Sequence, residues 1–356
     1  MAKNLGPDHS FFLGPANVNH FFRHTSISLP LEAKVLGMGN ALLDILVRVP
    51  NDNILTQFAL PKGSMQLVND ERSAEILEAV KNLKPSIVSG GSTANAIYGL
   101  ANLGIQTGFL GKIGTDELGN RYRADLEANG VAPLLSTSTT HSGSCISLIT
   151  PDSERTMCTC LGAAVELTAA DVKPEVFDGC THFYVEGYLV QDPELIESAF
   201  KMAHEKGLTT ILDLASYNTV EDHLEFMQKL IRRYVDVVFA NEEEATAFTG
   251  KEDDEALNEI GELADIVVLK QGRRGSLVKV GYDRVRCGVV ECNAIDTTGA
   301  GDLYAAGFLW GLISGLSPIQ CATAGAILSG NVIEVIGSKM DANRWTSIRQ
   351  DLKKLC

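Results

Sequence analysis

The residues best suited to chemistry lie in the segment DTTGAGD, residues 296–302, which runs into an apolar stretch. Gly299, Ala300 and Gly301 leave this turn almost free of side chains, and the apolar spacing from Leu303 onward predicts a helix. A glycine-rich turn that opens a helix directs several backbone N–H groups, together with the positive end of the helix dipole, at one point. We therefore predict an anion site here that is suited to phosphate.

Asp302 stands at the entrance of this predicted helix, where the dipole keeps it ionised. A carboxylate beside a phosphate site would repel the ligand unless it had another role. The most direct role is to accept the proton of a hydroxyl group that attacks the phosphate. The alternative is that Asp302 only caps the helix and that the glycines only form a tight turn.

The composition is that of an ordinary globular protein and argues against several classes of function. Of the 356 residues, 45% are hydrophobic and 21% are charged, which allows one large domain or two. The net charge of −15 argues against nonspecific binding to nucleic acid or to anionic membranes. No apolar run approaches the roughly 20 residues that span a bilayer. The eight cysteines are scattered, which favours reduced thiols in a cytoplasmic protein.

The elements that must position the glycine turn alternate regularly between strand and helix. Residues 34–40 have the pattern of a first buried strand, and from residue 165 onward strands and helices follow one another with short links. Such alternation predicts a largely parallel α/β sheet that is covered by helices on both faces. Strands predicted at about 43–49, 64–69 and 144–160 would form a smaller sheet outside the main one. We expect residues 1–32 to be a poorly ordered extension and residues 33–356 to be one domain.

A first glycine pair, Gly37 and Gly39, could indicate dinucleotide binding. The third glycine of that motif is replaced by Leu42, and residues 43–49 alternate like a strand instead of forming the required helix. A dinucleotide-dependent dehydrogenase is therefore disfavoured.

Two further motifs lie at predicted strand ends. Gly90 and Gly91 precede a helix of small residues that retains Asn95, and paired glycines imply close approach by a ligand or by another backbone segment. Tight packing explains the glycines well but the asparagine less well. Asn241 and Glu244 follow another predicted strand, where acidic groups can hold Mg²⁺ through water. Their alternative role is to favour a helix N-terminus.

Taken together, these motifs resemble the ribokinase-like carbohydrate kinases, also called the phosphofructokinase B family, which includes the adenosine kinases. Residues 296–302 resemble the C-terminal signature, the GGS-x-x-N segment at 90–95 resembles the N-terminal signature, and Asn241-x-x-Glu244 resembles a further family element. The resemblance covers about residues 33–345, with the motifs in their expected order. It implies a three-layer α/β/α core that carries a small β-sheet lid.

The resemblance also implies a role for each matching residue. Asp302 would be the catalytic base, and the backbone of Gly299, Ala300 and Gly301 would form the anion hole. The residues expected to bind the acceptor are Asp44, Gly90, Gly91 and Asn95, with Gln66 and Arg155 on the lid. The residues expected near the nucleotide are Asn241, Glu244, Lys270, Gly272, Gly275 and Asn331, with Glu244 acting on the metal through water.

One of these assignments lies at a position where the chain departs from the family, and another residue has an alternative role. Lys270 and Gln271 stand where the family has a threonine beside the nucleotide, so the details of that contact differ. Arg155 could offset the charge of the transferring group, or it could be a solvated hairpin residue.

The function expected from these residues is ATP- and Mg²⁺-dependent phosphorylation of the primary 5′-hydroxyl of a nucleoside, with adenosine as the first candidate. The GGSTAN form and Gln66 favour adenosine. Within the enzyme class, the alternatives are another purine nucleoside and ribose, fructose or a related free sugar. Outside it, the alternative is a non-catalytic protein that binds a nucleoside or sugar. The expected partner is a small molecule, with no nucleic acid or membrane, and the chain is expected to be a monomer or a homodimer formed through the lid.

Overall fold

The computed structural model describes residues 33–152 and 154–356. The expectation of a poorly ordered extension at residues 1–32 lies outside the described residues. Within the described ranges, the chain forms one large, mostly parallel sheet with helices on both faces and a second, smaller sheet. The predicted α/β class with a small second sheet is therefore confirmed.

The strands, numbered in chain order, are β1 (Lys34–Met38), β2 (Leu42–Arg48), β3 (Met65–Leu67), β4 (Ser86–Gly90), β5 (Gln106–Gly114), β6 (Val131–Ser138), β7 (Gly143–Ile149), β8 (Arg155–Cys160), β9 (His182–Glu186), β10 (Thr209–Asp213), β11 (Val237–Asn241), β12 (Ile266–Lys270), β13 (Ser276–Val280) and β14 (Asp283–Cys287). Within the described residues, the strands of the large sheet have the spatial order β14-β13-β12-β11-β10-β9-β1-β5-β6. The pairs β12–β13 and β13–β14 are antiparallel, and all other neighbouring strands of this sheet are parallel.

The α-helices are α1 (Asn53–Gln57), α2 (Asp70–Val80), α3 (Ser92–Asn102), α4 (Glu117–Ala128), α5 (Pro193–Glu205), α6 (Tyr217–Tyr234), α7 (Glu242–Thr249), α8 (Asp253–Ile260), α9 (Ala300–Ile313), α10 (Pro318–Val332) and α11 (Ala342–Leu352). Of the helices in the described ranges, none is long and apolar enough to cross a membrane.

Apolar residues on the two faces of the large sheet build two separate clusters. Neighbouring strand residues point to opposite faces, so Val35 belongs to the cluster beneath α3, α9 and α10, whereas Leu36 belongs to the cluster beneath α5 and α6. Both side chains are fully buried. Strand β1 is thus packed from both sides, and the residues at its carboxyl end are fixed in position.

The small sheet has the order β3-β8-β7-β2-β4 and packs its own apolar cluster against α1 and α2. It contains the strands expected in the lid and, in addition, β4, which pairs with β2 and leads directly into the glycine pair before α3. The small sheet therefore delivers both β2 and the loop after β4 to the same edge of the large sheet.

Candidate active site

Helix α9 begins at Ala300 because the preceding Gly299 has a left-handed conformation, with φ of 72°. A side chain is excluded there, since an added Cβ would lie 2.9 Å from Ser338 Cβ. The loop before Gly299 is anchored by the buried Asp296. Its carboxylate accepts hydrogen bonds from the backbone N–H groups of Thr298 at 2.9 Å and Gly337 at 2.8 Å. The first turn of α9 is therefore presented by a rigid loop.

Asp302 lies in that first turn, and both of its carboxylate oxygens have a donor. Ser92 Oγ donates to Oδ1 at 2.8 Å, and Asn95 Nδ2 donates to Oδ2 at 2.9 Å. Ser338 Oγ in turn donates to Asn95 Oδ1 at 2.7 Å, which fixes the orientation of the amide. Burial raises the pKa of Asp302, and the two hydrogen bonds oppose this change. The result is an oriented carboxylate whose affinity for a proton is increased, as a general base requires.

The expected acceptor-binding residues gather beside Asp302. Asp44 lies so close to Gly90 that a Cβ added at this glycine would be 2.4 Å from the Asp44 carboxyl carbon. Gly91, with φ of 91°, turns the chain into α3. Burial raises the pKa of Asp44 to about 6, although the positive charges of Arg155 and Lys339 oppose this. This end of the site therefore offers a desolvated carboxylate and an amide to hydroxyl groups.

A buried carboxylate that the sequence motifs did not reveal supports the glycine loop. Glu186, 1% exposed, accepts hydrogen bonds of 2.9 Å from the backbone N–H and the side-chain amide of Asn40. Its other oxygen accepts a bond of 2.9 Å from the backbone N–H of Thr93. Burial raises the pKa of Glu186, and the hydrogen bonds oppose the rise. Glu186 thus ties the end of β1 to the start of α3.

The opposite end of the site contains a buried ion pair. Lys270 Nζ lies 2.8 Å from Asp213 Oδ2, with side chains only 15% and 4% exposed. Burial alone would lower the pKa of Lys270, but the negative charges of Asp213 and Glu244 outweigh this effect and raise it. A Cβ atom added at Gly301 would lie 3.3 Å from Lys270 Nζ, so the ammonium group is close to the backbone of this glycine. A fixed positive charge therefore faces the first turn of α9.

Asn241 and Glu244 form a reciprocal cap at the start of α7. Glu244 Oε2 accepts from the backbone N–H of Asn241 at 2.8 Å, and Asn241 Oδ1 accepts from the backbone N–H of Glu244 at 2.8 Å. The capping role considered from the sequence is therefore present. Burial also raises the pKa of Glu244 to about 7, opposed by the charge of Lys270. A carboxylate with this affinity for positive charge is suited to binding a hydrated cation as well.

One cavity of about 1090 Å³ brings most of the candidate residues together. Its lining includes Asp44, Gly91, Asn95, Arg155, Asn241, Glu244, Lys270, Gly299, Gly301 and Asp302. A neighbouring cleft of about 390 Å³ shares Asn241, Lys270 and Gly301 with it and is also lined by Gly272, Gly275 and Ala300. The two spaces meet at the first turn of α9, which lies between the acceptor residues and the expected nucleotide residues.

Three candidate residues line neither space: Gly90, which packs against Asp44, and Gln66 and Asn331. Gln66 is the middle residue of β3, and the cavity is lined by its neighbours Met65 and Leu67, which point to the other side of the strand. The side-chain amide of Asn331 donates a hydrogen bond of 2.8 Å to the backbone oxygen of Ile327. The backbone carbonyl oxygen of Asn331 accepts a hydrogen bond of 3.1 Å from the Arg344 guanidinium.

The lid reaches the glycine turn through Arg155, whose guanidinium donates a hydrogen bond to Thr298 Oγ1. Arg155 also lines the cavity, so it is not a solvated hairpin residue. Apolar side chains from the lid and from the segment after β8 form an apolar wall of the cavity. They are Met65, Leu67, Met157, Leu161, Val165 and Leu167. Of these, Met65, Leu67 and Met157 lie on the same face of the small sheet as Asp44, two to three strands away.

Comparison with known proteins agrees with this geometry. The family model described as pfkB family carbohydrate kinase matches residues 64–343. This range includes the glycine motif at 90–95, the Asn-x-x-Glu cap and the turn before α9. The chain belongs to the pfkB family of carbohydrate kinases. As a member, it is a phosphotransferase that acts on an alcohol group of a small molecule, and kinases of this family use ATP.

Individual relatives fall into two groups by name. The adenosine kinase of Schizophyllum commune is 26% identical over 346 residues, which are 89% of this chain and 98% of that protein. The solved structure of adenosine kinase from Sinorhizobium meliloti is 35% identical, with a TM-score of 0.83 over 90% of this chain and 99% of that one. A probable sugar kinase from Rhizobium etli is 33% identical, with the same TM-score over 90% of this chain and 98% of that one.

Proposed function

We propose that this pfkB-family kinase transfers the γ-phosphoryl group of ATP to the primary 5′-hydroxyl of a nucleoside, with adenosine as the substrate. The observation that carries the choice is that the lining of the cavity has both a polar part and an apolar part. Asp44 and Asn95 offer hydrogen bonds in one part of the cavity, and the lid wall led by Met65 and Leu67, at the edge strand of the small sheet, is apolar. A nucleoside has a polar ribose and a flat, largely apolar base, which match these two parts of the lining.

A free sugar fits this cavity less well. Its hydroxyl groups project all around the ring, and those that faced the apolar wall would be left without hydrogen-bond partners. Relatives named adenosine kinase support the nucleoside, whereas the relative named a probable sugar kinase keeps ribose or another free sugar as the second candidate.

The proposed reaction places Asp302 as the base. It takes the proton of the 5′-hydroxyl as that oxygen attacks the γ-phosphorus in line. The backbone N–H groups at Gly299–Gly301 and the dipole of α9 stabilise the negative charge on the transferring group. Arg155 and Lys270 add positive charge from the lid side and from the large sheet. Closure of the lid excludes water, which would otherwise accept the phosphoryl group.

Magnesium is proposed as the metal that accompanies ATP. The groups around Asn241 and Glu244 fit it, because they are carboxylate and amide oxygens and this ion prefers oxygen ligands and keeps much of its water. Both oxygens of Glu244 already accept hydrogen bonds from Asn241, so contact through water suits this residue better than direct coordination. When bound, the ion would neutralise phosphate charge.

A non-catalytic binding protein on the same scaffold is the remaining alternative. A protein that only binds has no use for an oriented carboxylate with a raised pKa at the phosphate site, so Asp302 argues against it.

The test is to incubate the purified protein with Mg²⁺ and γ-labelled ATP, together with adenosine or ribose, and to identify the labelled product. AMP from adenosine, with ribose inert, is the expected result. Labelled ribose 5-phosphate would keep the mechanism but overturn the nucleoside. ATP binding without transfer to either acceptor or to a wider sugar panel would support the non-catalytic alternative.

A further inference from the structure

Three side chains of metal-binding types meet outside the candidate active site, at the edge of the small sheet. Asp70 begins α2, His141 lies in the loop between β6 and β7, and Cys160 ends β8. One ligand atom from each lies within 4.8 Å of the other two. None of these residues takes part in the proposed phosphoryl transfer.

His141 is oriented as a metal ligand. Its Nδ1 lies 2.9 Å from Ser142 O, and because a carbonyl only accepts, Nδ1 carries the hydrogen. In the neutral ring, Nε2 then directs its lone pair at Asp70 Oδ1, 2.8 Å away. Nε2 is buried, and for the neutral ring this carboxylate gives it no hydrogen, so it has no donor among the described residues. A lone pair that faces a carboxylate at this distance requires a cation or a proton between them. A backbone acceptor on the far ring nitrogen is also the usual support of a metal-bound histidine.

Cys160 completes the group. Its Sγ is buried and lies 3.1 Å from the same Asp70 oxygen. A metal ion that binds here would displace the proton of this thiol. The Asp70 side chain is 68% exposed, which leaves an open path for an ion and room for a water ligand.

We propose that Asp70, His141 and Cys160 bind one Zn²⁺ ion, with water as the fourth ligand. Imidazole, thiolate and carboxylate are the groups that this ion selects, whereas Mg²⁺ disfavours the sulfur and nitrogen ligands. Bonds of about 2.0–2.3 Å in a tetrahedron separate the ligand atoms by about 3.4 Å. The observed separations of 2.8 and 3.1 Å therefore need to widen by less than an ångström.

The location gives the ion a structural role in the lid. Strand β3 lies at the edge of the small sheet and pairs with β8 through three residues, Met65 to Leu67. Asp70 follows β3 after two residues, so zinc would join the end of this short strand to the end of β8 and to the His141 loop. The ion would hold in place the strand that carries Met65 and Leu67 to the cavity.

The experiment titrates the full-length protein, freed of metal with a chelator, with Zn²⁺ and separately with Co²⁺. We expect one ion per chain, a thiolate-to-metal charge-transfer band in the cobalt form, and a higher Tm with zinc. Cys160→Ser and His141→Ala should each weaken zinc binding by more than about 100-fold, beyond what loss of a supporting hydrogen bond costs. Asp70→Asn, at an exposed position, provides a third variant that should fold normally and also bind more weakly.

Cys356→Ser is the matched control, since it removes an exposed thiol far along the chain. It should bind zinc as the parent protein does. The proposal is contradicted if the metal-free protein takes up no zinc, which would mean that only a proton lies between His141 and Asp70. It is equally contradicted if Cys160→Ser binds as tightly as the parent. These readouts do not depend on kinase activity, so they stand apart from any test of the proposed reaction.

Discussion

Ser92 Oγ donates a hydrogen bond of 2.8 Å to Asp302 Oδ1 and so links the first turn of α3 to the first turn of α9. The glycine motif at 90–95 and the glycine turn at 296–302 are therefore in direct contact through the helices that follow them. One motif supplies the carboxylate, and the other supplies the donors that orient it and oppose the rise of its pKa.

The Ser92→Ala variant tests this control of the pKa. Loss of a donor to the carboxylate should raise the pKa of Asp302, because the charged form loses a favourable contact. A base works only when deprotonated, so the acid limb of the pH profile of kcat should move to higher pH by about one unit. Ser347→Ala, on the exposed face of α11, is the control and should leave the profile unchanged. An unmoved acid limb in Ser92→Ala would contradict the assignment.

The ion pair of Lys270 and Asp213 predicts that substitutions can change the free energy of unfolding and the KM for ATP independently. Lys270→Met leaves a buried carboxylate without its partner, which should lower the free energy of unfolding by about 3–5 kcal/mol. It should also raise the KM for ATP. Adding Asp213→Asn removes the unpaired charge and should restore most of the stability, while the KM stays high. Denaturant unfolding and steady-state kinetics on both variants check this. Recovery of the KM together with stability would show that Lys270 has no role beyond packing.

Asp44 predicts a trade-off between stability and binding that depends on pH. Its pKa is raised to about 6 in the folded protein from 3.8, so folding disfavours its charged form above pH 6. Asp44→Asn should therefore raise the Tm at pH 7. The gain should shrink as pH falls below about 6 and vanish below 3.8, where the carboxyl is neutral in both states. The same variant should raise the KM for the acceptor. A Tm gain that persists at low pH would refute the electrostatic explanation.

The apolar lid wall predicts which substitutions change acceptor binding. Leu67→Asp places a charge against the proposed base and should raise the KM for adenosine by about tenfold or more, with the KM for ATP unchanged. Leu83→Asp is the matched control, since Leu83 is also an exposed leucine but does not line the cavity. Equal effects of the two variants on adenosine would argue against the wall as the base-binding surface.

Much of this architecture could be predicted from the sequence, because its signals are local. The glycine turn into α9 and the Asn241 cap of α7 depend on residues within one or two turns. Asp213 and Glu186 carry a weaker signal. Each ends a strand of the large sheet, where ligands bind, but their partners Lys270 and Asn40 are identified only when the strand order is known.

The lid was harder to predict for two physical reasons. Strand β3 has only three residues, which is too short for alternation to show that Met65 and Leu67, and not Gln66, line the cavity. Strand β4 belongs to the small sheet through antiparallel pairing with β2, a contact between distant segments that composition does not indicate. Asn331 likewise depends on a distant partner, Arg344 in α11.

The most direct test of the account is the rate of γ-phosphoryl transfer to adenosine by Asp302→Asn compared with the parent enzyme. The substitution keeps the shape of the side chain and removes the base, so turnover should fall by at least about 10²–10⁴-fold while the Tm is maintained and ATP still binds. A folded Asp302→Asn protein that transfers phosphate at a near-normal rate would contradict the central claim that Asp302 accepts the hydroxyl proton.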